Sequence, residues 1–139
     1  MEELHPPIDR LSVATSSAIR IAERTGPDYH LAPGRTAECL AAYRRFLSRP
    51  GSRLLLTRSD CPACPGCAYD DVAEVRDALE AVMLALPARP RAELRRLLGP
   101  LDAAFLRRTL PNPDPRPDRW DGRQGMREPW WYRRAYDDD

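Results

Sequence analysis

The chain has 139 residues, 42% of them hydrophobic and 31% charged, with 22 basic residues against 21 acidic ones and a net charge of +1. That is one domain's worth of sequence, and the near balance argues against a dedicated polyanion binder. No stretch approaches the roughly 20 apolar residues needed to cross a bilayer, and Met1 to Pro7 lacks the basic and apolar regions of a signal peptide, so a cytoplasmic protein is expected.

A first helix is expected over about Ile8 to Arg24, with Ile8, Leu11, Ala14, Ala18 and Ile21 on one stripe and Gly26-Pro27 as the stop. A second, about Thr36 to Ser48, places Cys39, Leu40, Tyr43, Phe46 and Leu47 on one broad face and ends at Pro50-Gly51. The apolar run Leu54 to Leu56 is too short for a period and reads as an extended connector. Asp71, followed three residues later by Glu74, resembles a capping box for a third helix carrying Val72, Val75, Leu79, Val82, Met83 and Leu86, with an acidic outer face. Pro90 suits the first turn of a fourth helix with Leu94, Leu97, Leu98, Leu101 and Phe105 inward, and Gly99-Pro100 is expected to kink or break it. Two residues separate helices three and four, which predicts an antiparallel hairpin with an acidic third helix beside a basic fourth. The fold class expected is all-α, a small four-helix body over residues 1–110.

Residues 111–139 read differently. Pro stands at every second position from Pro111 to Pro117, which forbids helix and favours an extended path. Beyond it Trp120, Trp130 and Trp131 are interleaved with arginines that include Arg133 and Arg134. Aromatic rings with guanidinium groups suit a protein interface, can stack on nucleic-acid bases, or can pack back on the body. Together with Arg95 and Arg96 of the fourth helix they form the expected binding surface, for a partner protein first and for nucleic acid as the alternative.

The sharpest signal is Cys61-Pro-Ala-Cys64-Pro-Gly-Cys67. Three of the four cysteines fall within seven residues, which in a reducing compartment points to metal ligation rather than disulfides. Cysteines two residues apart can close on one ion because a tight turn aims both sulfurs inward, and Pro and Gly favour such turns. A structural Zn2+ takes four ligands. Cys39, on the inward face of the second helix, is the leading candidate for the fourth, with His30 next and His5 third. The metal would then tie the second helix to the start of the third. The spacing is also similar to the bacterial ferredoxin-type loop, a resemblance confined to these seven residues that implies an iron-sulfur cluster and a redox sensor. It departs from that loop in having no further cysteine followed by Pro.

No phosphate-cradling Gly loop, Ser/His/Asp spacing or His-Glu helix motif is present, so catalysis is not expected. The function expected is a zinc-stabilised regulatory protein acting through protein binding, with a nucleic-acid-binding regulator or an iron-sulfur sensor as alternatives.

Overall fold

The computed structural model describes residues 6–61, 64, 66–112 and 129–137. Four α-helices form the body: α1 (Val13–Thr25), α2 (Arg35–Leu47), α3 (Val72–Ala85) and α4 (Ala88–Arg108). Short 3-10 turns follow the cysteine run (Cys67–Asp70) and shape the tail (Trp130–Arg133). Among the described residues extended segments meet only as isolated bridges, without a sheet. No described helix is long and apolar enough to cross a membrane.

The expected first helix starts five residues late. Asp9 takes a left-handed backbone (φ 50°), so Ile8 to Leu11 close a turn, both still buried, and Ser12 becomes the cap by accepting from the Thr15 amide. The inward stripe is also different: Thr15, Ser16, Ile19, Ala22 and Glu23 are buried, whereas Ile21 is 53% exposed. Polar residues can face inward there because each finds a partner. Ser16 Oγ accepts from the Ile8 amide, and the Glu23 carboxylate accepts from the amides of Gly34 and Thr36 at 3.2 and 2.9 Å. Glu23 thereby caps α2, whose own N-cap, Gly34, sits at φ 80° and has no side chain to offer.

Helix α2 follows its expected range within a residue, burying Cys39, Leu40, Tyr43 and Phe46. In the connector, Leu54 and Leu56 are buried and Leu55 is exposed, an extended alternation that bridges Thr109 and Tyr136.

Helix α3 begins on Asp71, whose carboxylate accepts from the Ala73 amide at 2.9 Å. It is the central helix, and the acidic outer face expected of it is not there. Asp77 and Arg76 are both buried. Arg76 makes a two-pronged ion pair with Asp102 of α4 (2.9 and 3.0 Å), and Tyr43 of α2 donates to the same carboxylate at 2.7 Å. The charges facing each other across α3 and α4 are therefore the reverse of the expected acidic third helix and basic fourth. Helix α4 runs unbroken through Gly99-Pro100, both on its exposed side, where the amide that proline lacks and the bulk of its ring meet water rather than core.

The described part of the tail packs onto this body. Trp131, Tyr132 and Tyr136 are buried, Trp130 meets Phe105 edge-on at 5.5 Å, and the Arg76 guanidinium lies 4.4 Å from the centre of the Trp131 ring. Backbone bonds from Ala135 to Leu110 and from Leu56 to Ala135 complete the docking. The proline run beyond Pro111 and Trp120 lie outside the described residues. Because Trp131 fills core, Trp131→Ala should lower the unfolding free energy by about 3–5 kcal/mol in a denaturant titration; an unchanged midpoint would contradict this packing.

Candidate metal centre

The cysteine run forms a tight knuckle between the connector and α3. The Cys61 amide donates to Ser59 Oγ, the Cys64 amide to the Cys61 carbonyl at 3.1 Å, and the Ala68 amide to the Cys64 carbonyl at 3.0 Å. These bonds wind the chain back on itself, and the Cys61, Cys64 and Cys67 sulfurs all lie within 4.8 Å of one another. Cys61 is exposed and the other two half-buried. The Cys64 thiol is held below the usual thiol range, first by the Cys67 amide and then by the Cys67 thiol and the Gly66 amide, while hydrogen bonding to Cys64 and its charge push Cys67 up to about 11. The trio's protons would leave as a metal enters, since thiolate is the ligating form.

The structure does not bring the expected fourth ligands into this group. Cys39 sits behind the knuckle, where it and Gly66, Tyr69 and Asp70 line one shallow groove, but its sulfur is not part of the trio. It is 2% exposed, and burial pushes its thiol up to about 12. His30 is fully buried and committed on both sides. Its Nε2 lies 3.0 Å from Asp77 Oδ2 and its Nδ1 2.7 Å from the Tyr69 hydroxyl. A carboxylate only accepts, so in the neutral ring Nε2 carries the proton and Nδ1 accepts from Tyr69. Arg35 Nη1 donates in turn to the Tyr69 oxygen at 2.5 Å, with its guanidinium stacked 4.4 Å from the ring centre. Burial holds the Tyr69 phenol up to about 12, so it stays a donor to His30. His5 lies outside the described residues.

A second donor set follows from this arrangement. His30, Glu74 and Asp77 present ligand atoms within 4.8 Å of one another, with Glu74 half-buried and its carboxyl pushed above the usual range by burial. Glu74 also lines a pocket of about 260 Å³ with Tyr29, Arg58, Asp71, Tyr132 and Tyr136. The set differs in kind from the knuckle. An ion on His30 Nε2 would have to take the place of the proton shared with Asp77, a buried hydrogen bond, whereas the knuckle sulfurs lie nearer the surface. Sequence reasoning missed Glu74 and Asp77 as site residues because Glu74 read as the second half of a capping box and Asp77 as part of an acidic outer face of α3. The one available signal was their spacing of three residues, which puts both on the same face of a helix.

The expected binding residues are dispersed. Arg95 and Arg96 are exposed on α4 and Arg133 is exposed in the tail, but Trp131 is buried and Trp130 half-buried against Phe105. Arg134 turns inward, donating to Thr109 Oγ1 and to the carbonyls of Thr109 and Leu106.

No protein-family model, no curated protein and no solved structure matches this chain. The chain is thus a small all-helical protein with two candidate metal-binding clusters, the three cysteines and the His30, Glu74 and Asp77 set.

The two environments of cysteine predict a difference in reactivity. Burial shields the Cys39 sulfur from reagent and favours its protonated, unreactive form, whereas the knuckle sulfurs lie nearer the surface. Native protein treated with chelator and iodoacetamide should gain three adducts by mass spectrometry, on Cys61, Cys64 and Cys67, with Cys39 modified only after denaturation; early modification of Cys39 would contradict its placement in the core.

Proposed function

We propose that the protein is a zinc-stabilised helical binding protein, with the metal held by Cys61, Cys64 and Cys67 and with recognition of another protein, rather than turnover, as its activity. The observation that carries the reading is the convergence of three sulfurs in a turn whose last residues lead into the cap of α3. Zinc suits such a site because it is bound by thiolates without redox chemistry and without a demanding geometry. Its binding energy would become folding energy for a segment whose described residues between Thr57 and Gly66 form no helix or strand.

Recognition by protein is favoured over recognition of nucleic acid by what the arginines do. Arg91, Arg108 and Arg134 are occupied with main-chain carbonyls, and Arg76 and Arg44 pair with carboxylates. Arginines left outward, such as Arg24, Arg45, Arg95, Arg96 and Arg133, are spread over α1, α2, α4 and the tail, and the near-balanced total charge does not favour a polyanion. A reducing compartment such as the cytoplasm would keep the knuckle thiols available to the metal.

Elemental analysis of protein purified anaerobically without chelator tests the reading. About one zinc per chain and no visible colour are expected, with metal lost and the melting temperature lowered in Cys64→Ser. Iron with a broad visible band would replace zinc by a cluster and binding by redox sensing. A fully folded, metal-free protein whose stability is unchanged in Cys64→Ser would overturn the proposal.

A further inference from the structure

The set of His30, Glu74 and Asp77 has no part in the binding reading above, and its chemistry differs from that of the knuckle. It offers one imidazole nitrogen and two carboxylates, with ligand atoms all within 4.8 Å of one another. His30 is fully buried and Asp77 is 5% exposed, while half-buried Glu74 belongs both to this set and to the wall of the pocket of about 260 Å³. Glu74 is therefore where a small ion entering the pocket would meet the set. The charged groups on the pocket wall are Asp71 and Glu74 against Arg58, and Asp77 adds a further carboxylate next to Glu74. Burial works against the charge of Glu74, and so, with His30 opposing them, do Asp77 and Asp71.

We propose that His30 Nε2, Glu74 and Asp77 form a second metal site, separate from the knuckle, which takes a divalent first-row cation such as Mn2+ by way of the pocket. Two observations carry it. His30 Nε2 and Asp77 Oδ2 stand 3.0 Å apart. Donors on neighbouring corners of an octahedral ion with bonds of about 2.1 Å are separated by about 3.0 Å, so an ion can replace the shared proton with little movement of either group. On its other side the ring is held by the Tyr69 hydroxyl at 2.7 Å, and Arg35 donates to the same oxygen at 2.5 Å. An oxygen fixed at the far nitrogen is the outer partner that a metal-bound imidazole uses. On binding, the ring proton passes from Nε2 to Nδ1 and is donated to the Tyr69 oxygen, whose own hydrogen turns off that line, so His30 stays neutral. Donor type selects the ion, because carboxylates with imidazole suit Mn2+ and thiolates do not. A dication with two carboxylates and a neutral ring is also uncharged overall, which offsets the burial of both acids. Since the ion displaces a buried hydrogen bond, it is held less tightly than an ion on three thiolates.

Manganese separates this site from the knuckle. The full chain, reduced and supplied with one equivalent of zinc, is titrated with Mn2+ and followed by loss of the free-ion electron paramagnetic resonance signal; about one Mn2+ per chain should bind saturably. Electron spin echo modulation should show a nitrogen on the bound ion, and His5→Ala should leave both readings unchanged. Glu74→Gln and Asp77→Asn, the second chosen to keep an acceptor toward His30, should each weaken Mn2+ binding by roughly tenfold or more while the zinc content stays as in wild type. Absence of saturable Mn2+ binding in wild type would overturn the site. So would a bound ion without nitrogen, nitrogen modulation lost in His5→Ala, or unchanged affinity in the two variants, each of which places the ion elsewhere on the chain. These outcomes hold whether or not the knuckle retains zinc, so failure here is distinct from failure of the zinc reading. Should Asp77→Asn fail to fold, Glu74→Gln decides, since Glu74 is half-buried at the pocket wall.

Discussion

The hydrogen-bond chain from Arg35 through Tyr69 and His30 to Asp77 is the constraint on which the rest of the structure turns. Its four members come from the start of α2, the turn after Cys67, the loop between α1 and α2, and the middle of α3. Tyr69 is two residues from Cys67, so its hydroxyl ties the turn after the knuckle to the helical body. Each link has a single consistent direction, because Asp77 can only accept and Arg35 can only donate. Loss of the knuckle's shape would withdraw the Tyr69 hydroxyl and leave the buried imidazole short of a partner, at a cost of about 1–3 kcal/mol. A surface loop of three cysteines thereby has a path to the stability of α3.

Charged side chains do the same work at the helix ends. Glu93 of α4 accepts from the Ser12 amide and from the Ser12 and Thr15 hydroxyls at the start of α1, Glu23 holds the start of α2, and Asp71 that of α3. At the opposite ends Arg108 donates to the carbonyls of Leu47, Arg49 and Gly51 at and beyond the end of α2, Arg91 to those of Met83, Leu84 and Leu86 at the end of α3, and Arg134 to those of Leu106 and Thr109 at the end of α4. Carboxylates at amino ends and guanidinium groups at carboxyl ends satisfy orphaned backbone groups and oppose the helix dipoles. Part of the arginine content is therefore structural.

The helical body was legible because apolar spacing and stop signals agree. The ranges of α2 and α3, the Asp71 cap and the extended connector all follow from residues that act locally. What local pattern could not show was long-range satisfaction of polar groups. Thr15, Ser16 and Glu23 fall outside the apolar stripe expected of the first helix, and Asp77 within the acidic face expected of the third, yet each is buried against a partner distant in sequence. The same limit applies to the site: the CxxCxxC spacing marks three cysteines whose sulfurs converge, whereas Cys39, chosen from its helix face, is buried in the core outside that cluster. The aromatic tail offered several readings by composition, and the presence of a complementary surface around Phe105 and Arg76 settled where Trp130 and Trp131 go.

The central claim is that metal at the knuckle and order in the helical body form one cooperative unit through Tyr69. Hydrogen exchange followed by mass spectrometry on zinc-loaded and chelator-treated wild type measures it directly. Chelation should remove protection from residues 61–70 and also from the segment around His30 and the first two turns of α3. Protection lost only within the knuckle, with the His30 loop and α3 unchanged, would contradict the coupling.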